Sequence, residues 1–272
     1  MQIAAIQFDS IYRDPHANRE KVVSWLKQAM SSQPDIIILP ETWTTGYSEN
    51  VFHNIAAYAE TENGPTLNLL RKFAHENNVW VVTGSFPEKD GEKFYNTVWL
   101  LNRNGDIVGK YRKMHLYTAM DEQIGFQHGT NMPVFETEFG PVALMTCYDI
   151  RFPELSRTYA LRGAQLLIVV SNFPNPKIHH WRTLLQARSI ENQLSVIAVN
   201  RVGAAEGNTY FGASLIIDAW GDILAEGNAQ ESILTAAIDI NKCQEVRQRI
   251  PMFADRQPLS YPDDLLKKAA FI

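Results

Sequence analysis

The chain has 272 residues, 45% of them hydrophobic and 20% charged, a composition that describes a folded globular protein with room for one large core. A net charge of −5 without a Lys/Arg cluster excludes the electrostatic footprint of a nucleic-acid binder, and no apolar stretch reaches the ~20 residues of a membrane-spanning helix. Two cysteines, Cys147 and Cys243, are too few for a disulfide framework and point to a reducing, cytoplasmic setting.

The opening segment Met1-Gln2-Ile3-Ala4-Ala5-Ile6-Gln7-Phe8 lacks a basic stretch ahead of a long apolar core, so it reads as a first strand (3–8) and not as a signal peptide. Apolar, β-branched runs predict further strands over 35–40, 79–84, 97–101, 142–147, 166–171, 196–202, 214–218 and 234–238. Most of these runs are continuous rather than alternating, which suits sheets covered on both faces. Between them, Asp14-Pro15 marks a helix start, followed by the apolar stripe Val22, Leu26, Ala29 and Met30. Pro65 opens a second helix with Leu70, Phe73 and Ala74 on one side. A third spans 154–161 and is stopped by Gly163, and Trp181, Leu184, Leu185 and Arg188 mark a fourth that ends near Gln193. A short helix over 243–250 and an irregular tail complete the chain, the tail docking on the body or on another subunit. Without a linker, repeat or low-complexity segment, one α/β domain fits best.

The segment Thr146-Cys147-Tyr148-Asp149-Ile150-Arg151-Phe152-Pro153 carries the most chemical information. The strand before it delivers Cys147 to a sheet edge, and Pro153 stands where a first helical turn begins. A thiol between a strand end and a helix N-terminus is expected to favour the thiolate, which is the nucleophile. The alternative is a cysteine that serves as a small hydrophobe. Glu41 follows the run Ile36-Ile37-Ile38-Leu39-Pro40 at the carboxyl edge of a sheet, where burial beside Trp43 raises proton affinity as a general base requires; otherwise it is a solvated strand end. Lys113, in Lys110-Tyr111-Arg112-Lys113-Met114-His115-Leu116, is either an oxyanion-binding ammonium or part of a basic surface turn. Glu122, with Asp121 as its rival, can orient Lys113 or be solvated. His115 and the adjacent His179-His180 do not make a metal site, since neighbouring histidines cannot both face one ion from a regular element. Ser24-Trp25-Leu26-Lys27 lies inside an amphipathic helix without companion motifs, and no glycine-rich nucleotide loop occurs, so neither a metal nor an organic cofactor is indicated.

Taken together, Pro40-Glu41, Tyr111-Arg112-Lys113-Met114-His115-Leu116 and Thr146-Cys147-Tyr148-Asp149-Ile150-Arg151-Phe152 resemble the nitrilase superfamily of carbon–nitrogen hydrolases, in that family's order of Glu, Lys, Cys. The resemblance runs from Ile3 to about Tyr261. It implies a single-domain four-layer α-β-β-α sandwich over residues 1–261 with a tail at 262–272. It also implies Cys147 as nucleophile, Glu41 as general base and Lys113 as oxyanion stabiliser. Glu122 falls at the family's second glutamate, and the backbone N–H of Tyr148 is expected to assist Lys113. Pairing through the helix after the cysteine would give a homodimer.

A closer likeness, to the ω-amidase branch, lies in Ser171-Asn172-Phe173-Pro174, His180-Trp181, Leu184 to Gln193 and Val199-Asn200-Arg201-Val202-Gly203. It implies hydrolysis of the side-chain amide of a small 2-oxo acid such as 2-oxoglutaramate or 2-oxosuccinamate, with Phe173, Lys177 and Trp181 in the substrate pocket. That branch more often carries Trp at the position of Phe173 and Arg at that of Lys177. Other readings are a nitrile or N-carbamoyl substrate on the same residues, a Cys-His hydrolase using His115 or His180, and a catalytically silent scaffold. Asp149, Arg151, Glu191 and Asn192 read as structural braces, and Cys243 as a bystander.

Overall fold

Short runs of Ile, Val and Ala become the inner strands of two sheets. The computed structural model describes residues 1–261; the expected tail at 262–272 lies outside the described residues. The strands are β1 (Gln2–Gln7), β2 (Ile36–Ile38), β3 (Trp80–Asp90), β4 (Lys93–Leu101), β5 (Ile107–Arg112), β6 (Val134–Thr137), β7 (Gly140–Thr146), β8 (Leu166–Ser171), β9 (Ser195–Asn200), β10 (Val202–Ala205), β11 (Asn208–Phe211), β12 (Leu215–Ile217), β13 (Ile223–Glu226) and β14 (Ser232–Ala237). The helices are α1 (Pro15–Ala29), α2 (Glu49–His53), α3 (Pro65–Asn77), α4 (Glu122–Gly125), α5 (Pro153–Leu161), α6 (Ile178–Asn192) and α7 (Lys242–Arg249). One sheet has the order β14-β1-β2-β3-β4-β5 and the other β13-β12-β9-β8-β7-β6, while β10 and β11 form a separate hairpin. The pairs β1–β2, β2–β3, β7–β8 and β8–β9 are parallel.

Successive residues of a strand face opposite sides, and both sides are apolar here. In β1, Ile3 and Ala5 join a core between the sheets, whereas Ala4 and Ile6 pack with Val22 and Leu26 of α1 and Leu67 and Leu70 of α3. In β7, Val142 and Leu144 meet that inner core, whereas Ala143 and Met145 pack with Leu155 and Tyr159 of α5 and Leu185 of α6. The fold is therefore the expected four-layer α-β-β-α sandwich, and the continuous apolar runs follow from the double covering. Asp14 caps α1 by accepting from the N–H of Ala17 at 3.0 Å, ahead of Pro15 at the first turn. No helix of the described residues is long and apolar enough to cross a membrane.

Several elements differ from expectation. The strands expected over 79–84 and 97–101 are halves of a long ribbon, since β3 runs on to Asp90 and β4 starts at Lys93, turning at Gly91. The stretch expected as one strand over 196–202 is divided into β9 and β10. Strands β5, β6, β11 and β13 were not anticipated, because their mixed polar sequences lie at sheet edges or in the separate hairpin and carry no apolar run. After α7 the chain is irregular as expected, and Phe253 packs against the outer layer of the second sheet.

This arrangement brings the ends of β2, β7 and β8 to one rim. Glycine is required beneath it. Gly84 has φ +64°, and an added Cβ would lie 2.2 Å from the carbonyl oxygen of Pro40, the residue before Glu41. Gly84→Ala should lower unfolding stability by about 2 kcal/mol or more, through backbone strain plus overpacking, measured by urea denaturation. It should also depress any activity that depends on Glu41. Unchanged stability would show that the rim tolerates displacement.

Candidate active site

Glu41, Lys113 and Glu122 meet in a fully buried cluster, and their side chains are 0% exposed. Glu41 leaves the end of β2, and Lys113 directly follows β5, where its backbone N–H donates to Asn96 of β4. The Lys113 ammonium donates to Glu41 Oε1 at 2.9 Å and to both oxygens of Glu122 at 2.8 Å. Asn96 Nδ2 bridges the two carboxylates at 2.9 and 3.0 Å. The second oxygen of Glu41 accepts the backbone N–H of Asn172 at 2.7 Å, which ties the first sheet to the end of β8 in the second. Asp121 does not enter: it precedes α4 with φ +57°, and its carboxylate accepts from the exposed Gln123. The basic turn expected around Lys113 is thus buried at that residue.

Burial pushes the Glu41 carboxyl above the usual carboxylate range, the charge of Glu122 adds to this, and Lys113 opposes it. Burial works against the Lys113 ammonium, but Glu122 and Glu41 more than offset it and hold it firmly protonated.

Cys147 lies at the end of β7 with φ +47°, opening a 3₁₀ turn over Cys147–Arg151. Asp149 braces this turn as expected. Its carboxylate accepts the backbone N–H groups of Thr146 at 2.9 Å and His115 at 3.0 Å, the Tyr111 hydroxyl at 2.6 Å, and pairs with His115 Nδ1 at 2.8 Å. Arg188 of α6 donates to the Ile150 carbonyl at 2.9 Å, a contact the sequence reading did not assign. The thiol departs from expectation. Burial and the nearby Glu41 carboxylate push its pKa well up despite Lys113, which favours the thiol over the expected thiolate. A single 3₁₀ turn offers little compensating field against these charges.

A narrow cleft opens on Cys147, walled by Tyr47, Tyr117, Tyr148 and Phe173. Asn172 stands at its buried end, and Arg151 and Lys177 line it with partly exposed side chains. Among the described residues neither cation has a carboxylate partner; Arg151 lies 5.2 Å from the Phe173 ring centroid and Lys177 5.4 Å from that of Tyr117. Arg151, read as a brace, therefore belongs to the cleft. Trp181 does not line it: the indole is 0% exposed, donates to the Ala213 carbonyl at 2.8 Å and packs behind Phe173 at 5.3 Å. Its N–H satisfied by backbone explains why it stays in the core.

The carbon–nitrogen hydrolase family model matches residues 2–248. The chain belongs to the carbon–nitrogen hydrolase family. It is 38% identical over 253 residues to the 2-oxoglutaramate amidase of Bacillus subtilis, covering 93% of this chain and 96% of that one. It is 31% identical over 278 residues to the ω-amidase of Homo sapiens, covering 98% and 96% respectively. The solved carbon–nitrogen hydrolase of Helicobacter pylori superposes with a TM-score of 0.89 at 26% identity, covering 98% of both chains.

Within this carbon–nitrogen hydrolase the histidines stand apart from the thiol. His115 pairs with Asp149 and stacks on Phe152 at 3.7 Å, while His180 Nδ1 is 3.4 Å from Arg151, and neither bonds Cys147. No group of three or more His, Cys, Asp or Glu side chains among the described residues is placed to hold a metal ion. Cys243 is a free thiol buried with Ala219 and Val246 in another part of the core. Asn96 escaped the sequence reading, since an isolated Asn in a strand carries no motif, and Asn172 stood within the quoted Ser171–Pro174 segment without a role of its own. Asp149→Asn would turn an amide N–H toward groups that already donate. It should cost about 2–4 kcal/mol in denaturant unfolding through unsatisfied buried donors. It should also slow reaction at Cys147, and a variant as stable and reactive as the wild type would contradict the brace.

Proposed function

We propose that this hydrolase is an ω-amidase that releases ammonia from the side-chain amide of a small 2-oxo dicarboxylic acid, such as 2-oxoglutaramate or 2-oxosuccinamate. The observation that carries this reading is a cleft with Cys147 at its buried end and two cations without carboxylate partners, Arg151 and Lys177, along it. A short chain with an amide at one end and a carboxylate at the other matches that polarity. The relatives named as a 2-oxoglutaramate amidase and an ω-amidase support the same assignment.

In the proposed reaction the Cys147 sulfur attacks the amide carbonyl as Glu41 accepts the thiol proton. The raised proton affinity of Glu41 suits a group that takes this proton and then returns it. Lys113 and the backbone N–H of Tyr148 stabilise the tetrahedral oxyanion; as an early N–H of the turn, that of Tyr148 has no acceptor within it. Glu41 protonates the departing nitrogen, ammonia leaves, and a Cys147 thioester remains. Water deprotonated by Glu41 hydrolyses it and restores the thiol. Glu122 and Asn96 hold Lys113 and Glu41 in register throughout.

The test is ammonia release from 2-oxoglutaramate, 2-oxosuccinamate, glutamine, an aliphatic nitrile and an N-carbamoyl amine. Release confined to the oxo-acid amides and abolished by Cys147→Ala is expected; activity on the nitrile or carbamoyl compound alone would overturn the substrate. Because Glu41 must be ionised to act as base, activity is present above its folded pKa and lost as pH falls through it. The acid limb of kcat/KM should therefore stand at higher pH than an ordinary exposed glutamate would give. Glu41→Gln should cost on the order of 10³-fold or more in kcat, and near-normal turnover would refute its role as base.

A further inference from the structure

The Lys113 ammonium has no proton to spare. It has three donors, and it lies 2.9 Å from Glu41 Oε1 and 2.8 Å from each oxygen of Glu122. A direct hydrogen bond to a substrate oxyanion would take one away from a buried carboxylate. A different donor stands beside it. The Tyr47 hydroxyl faces the Glu122 carboxylate but makes no hydrogen bond of regular geometry among the described residues, although the residue is only 2% exposed and lines the cleft with Cys147. Buried hydroxyls are nearly always paired, and an orphan in a cleft is one that a ligand can complete.

The ring is held in place. Gly46, with φ +78°, turns the chain into Tyr47, and Phe52 packs edge-on at 4.9 Å. The Lys113 nitrogen stands 5.2 Å from the ring centroid, so the phenol flanks the ammonium. The Tyr210 hydroxyl donates to the Tyr47 carbonyl at 3.4 Å. Burial and the charges of Glu122 and Glu41 push the phenol well above the ordinary tyrosine range, which keeps its proton available for donation.

A second orphan has the opposite polarity. Asn172 Nδ2 donates to the Glu41 carbonyl at 2.8 Å and to Thr42 Oγ1 at 2.6 Å, which fixes the orientation of the amide. Its Oδ1 is left as a buried acceptor without a donor. A primary amide offers one carbonyl acceptor and two N–H donors, the complement of this pair.

We propose that Tyr47 is a catalytic residue whose hydroxyl donates to the substrate carbonyl oxygen as it becomes the tetrahedral oxyanion, beside the backbone N–H of Tyr148. Lys113 then acts through its charge, keeping its bonds to Glu41 and Glu122. As the sulfur–carbon bond forms, the carbonyl π pair moves onto oxygen and the thiol proton passes to Glu41; Tyr47 shares its proton without losing it. This inference rests on the amidase reading of the site.

Tyr47→Phe keeps the ring and removes only the donor. For a primary amide that the wild type hydrolyses, kcat should fall on the order of 10²-fold with KM changed less than about threefold. Iodoacetamide alkylation of Cys147 forms no oxyanion and should stay within about twofold of wild type, since the thiol's surroundings are unaltered. An unchanged kcat would overturn the proposal, and so would a fall in kcat matched by an equal fall in alkylation, which would mark a structural role. A wild type silent on every amide would refute the amidase reading instead. The Tyr47 comparison then runs on p-nitrophenyl acetate, whose tetrahedral step needs the same donor.

Discussion

The site depends on one constraint: two carboxylates and one ammonium are buried together, their side chains closed to solvent. Charges removed from solvent cost several kcal/mol each unless geometry and hydrogen bonds offset the loss. Here Lys113 meets three carboxylate oxygens, and Asn96 and the N–H of Asn172 fill further acceptor sites. These partners come from both sheets, so the cluster is satisfied only when the sandwich is fully assembled. Burial raises the proton affinity of Glu41 and opposes ionisation of Cys147, with the Glu122 charge adding to the first and the Glu41 charge to the second. In the proposed reaction Glu41 is the base, Cys147 starts as a thiol, and proton transfer accompanies attack on the substrate.

The two ends of that transfer lie on strained backbone. Cys147 has φ +47° and Thr42, directly after Glu41, has φ +37°. Neither residue is glycine, so each conformation carries a cost that the surroundings must meet. Asp149 meets it around Cys147 by gathering four donors, and Asn172 meets it around Thr42 by bonding the Glu41 carbonyl and the Thr42 hydroxyl. The strain aims both side chains toward the seam between the sheets. Gly84 beneath Pro40 serves the same end by letting the backbone pass where a side chain would not fit.

The doubly covered strands were legible because both of their faces are apolar, as in Ile36-Ile37-Ile38 and Leu166 to Val170. Edge and ribbon segments such as Ile107-Val108-Gly109-Lys110-Tyr111-Arg112 were not, since one face or more meets solvent or paired charges. Glu41, Lys113, Glu122 and Cys147 were legible as motifs, and the fold brings Glu41, Lys113 and Glu122 into one cluster beside the cleft that holds Cys147. What the sequence did not disclose was the sum of their fields. The thiolate expectation considered the turn after Cys147 but not the carboxylates arriving from the other sheet. The roles of Tyr47, Asn96 and Asn172 went unassigned for a related reason: each acts through a distant partner, Lys113 for Tyr47 and Glu41 for the two asparagines. Trp181 read as a pocket residue because aromatic size does not reveal which layer a side chain occupies.

The most direct test of the account is to quench the enzyme with acid during turnover of 2-oxoglutaramate and map the adduct by peptide mass spectrometry. An acyl group, lacking the amide nitrogen, is expected on the peptide containing Cys147 and absent from Cys147→Ala. Steady ammonia release with Cys147 unmodified at every quench time, or an adduct on another residue, would contradict it.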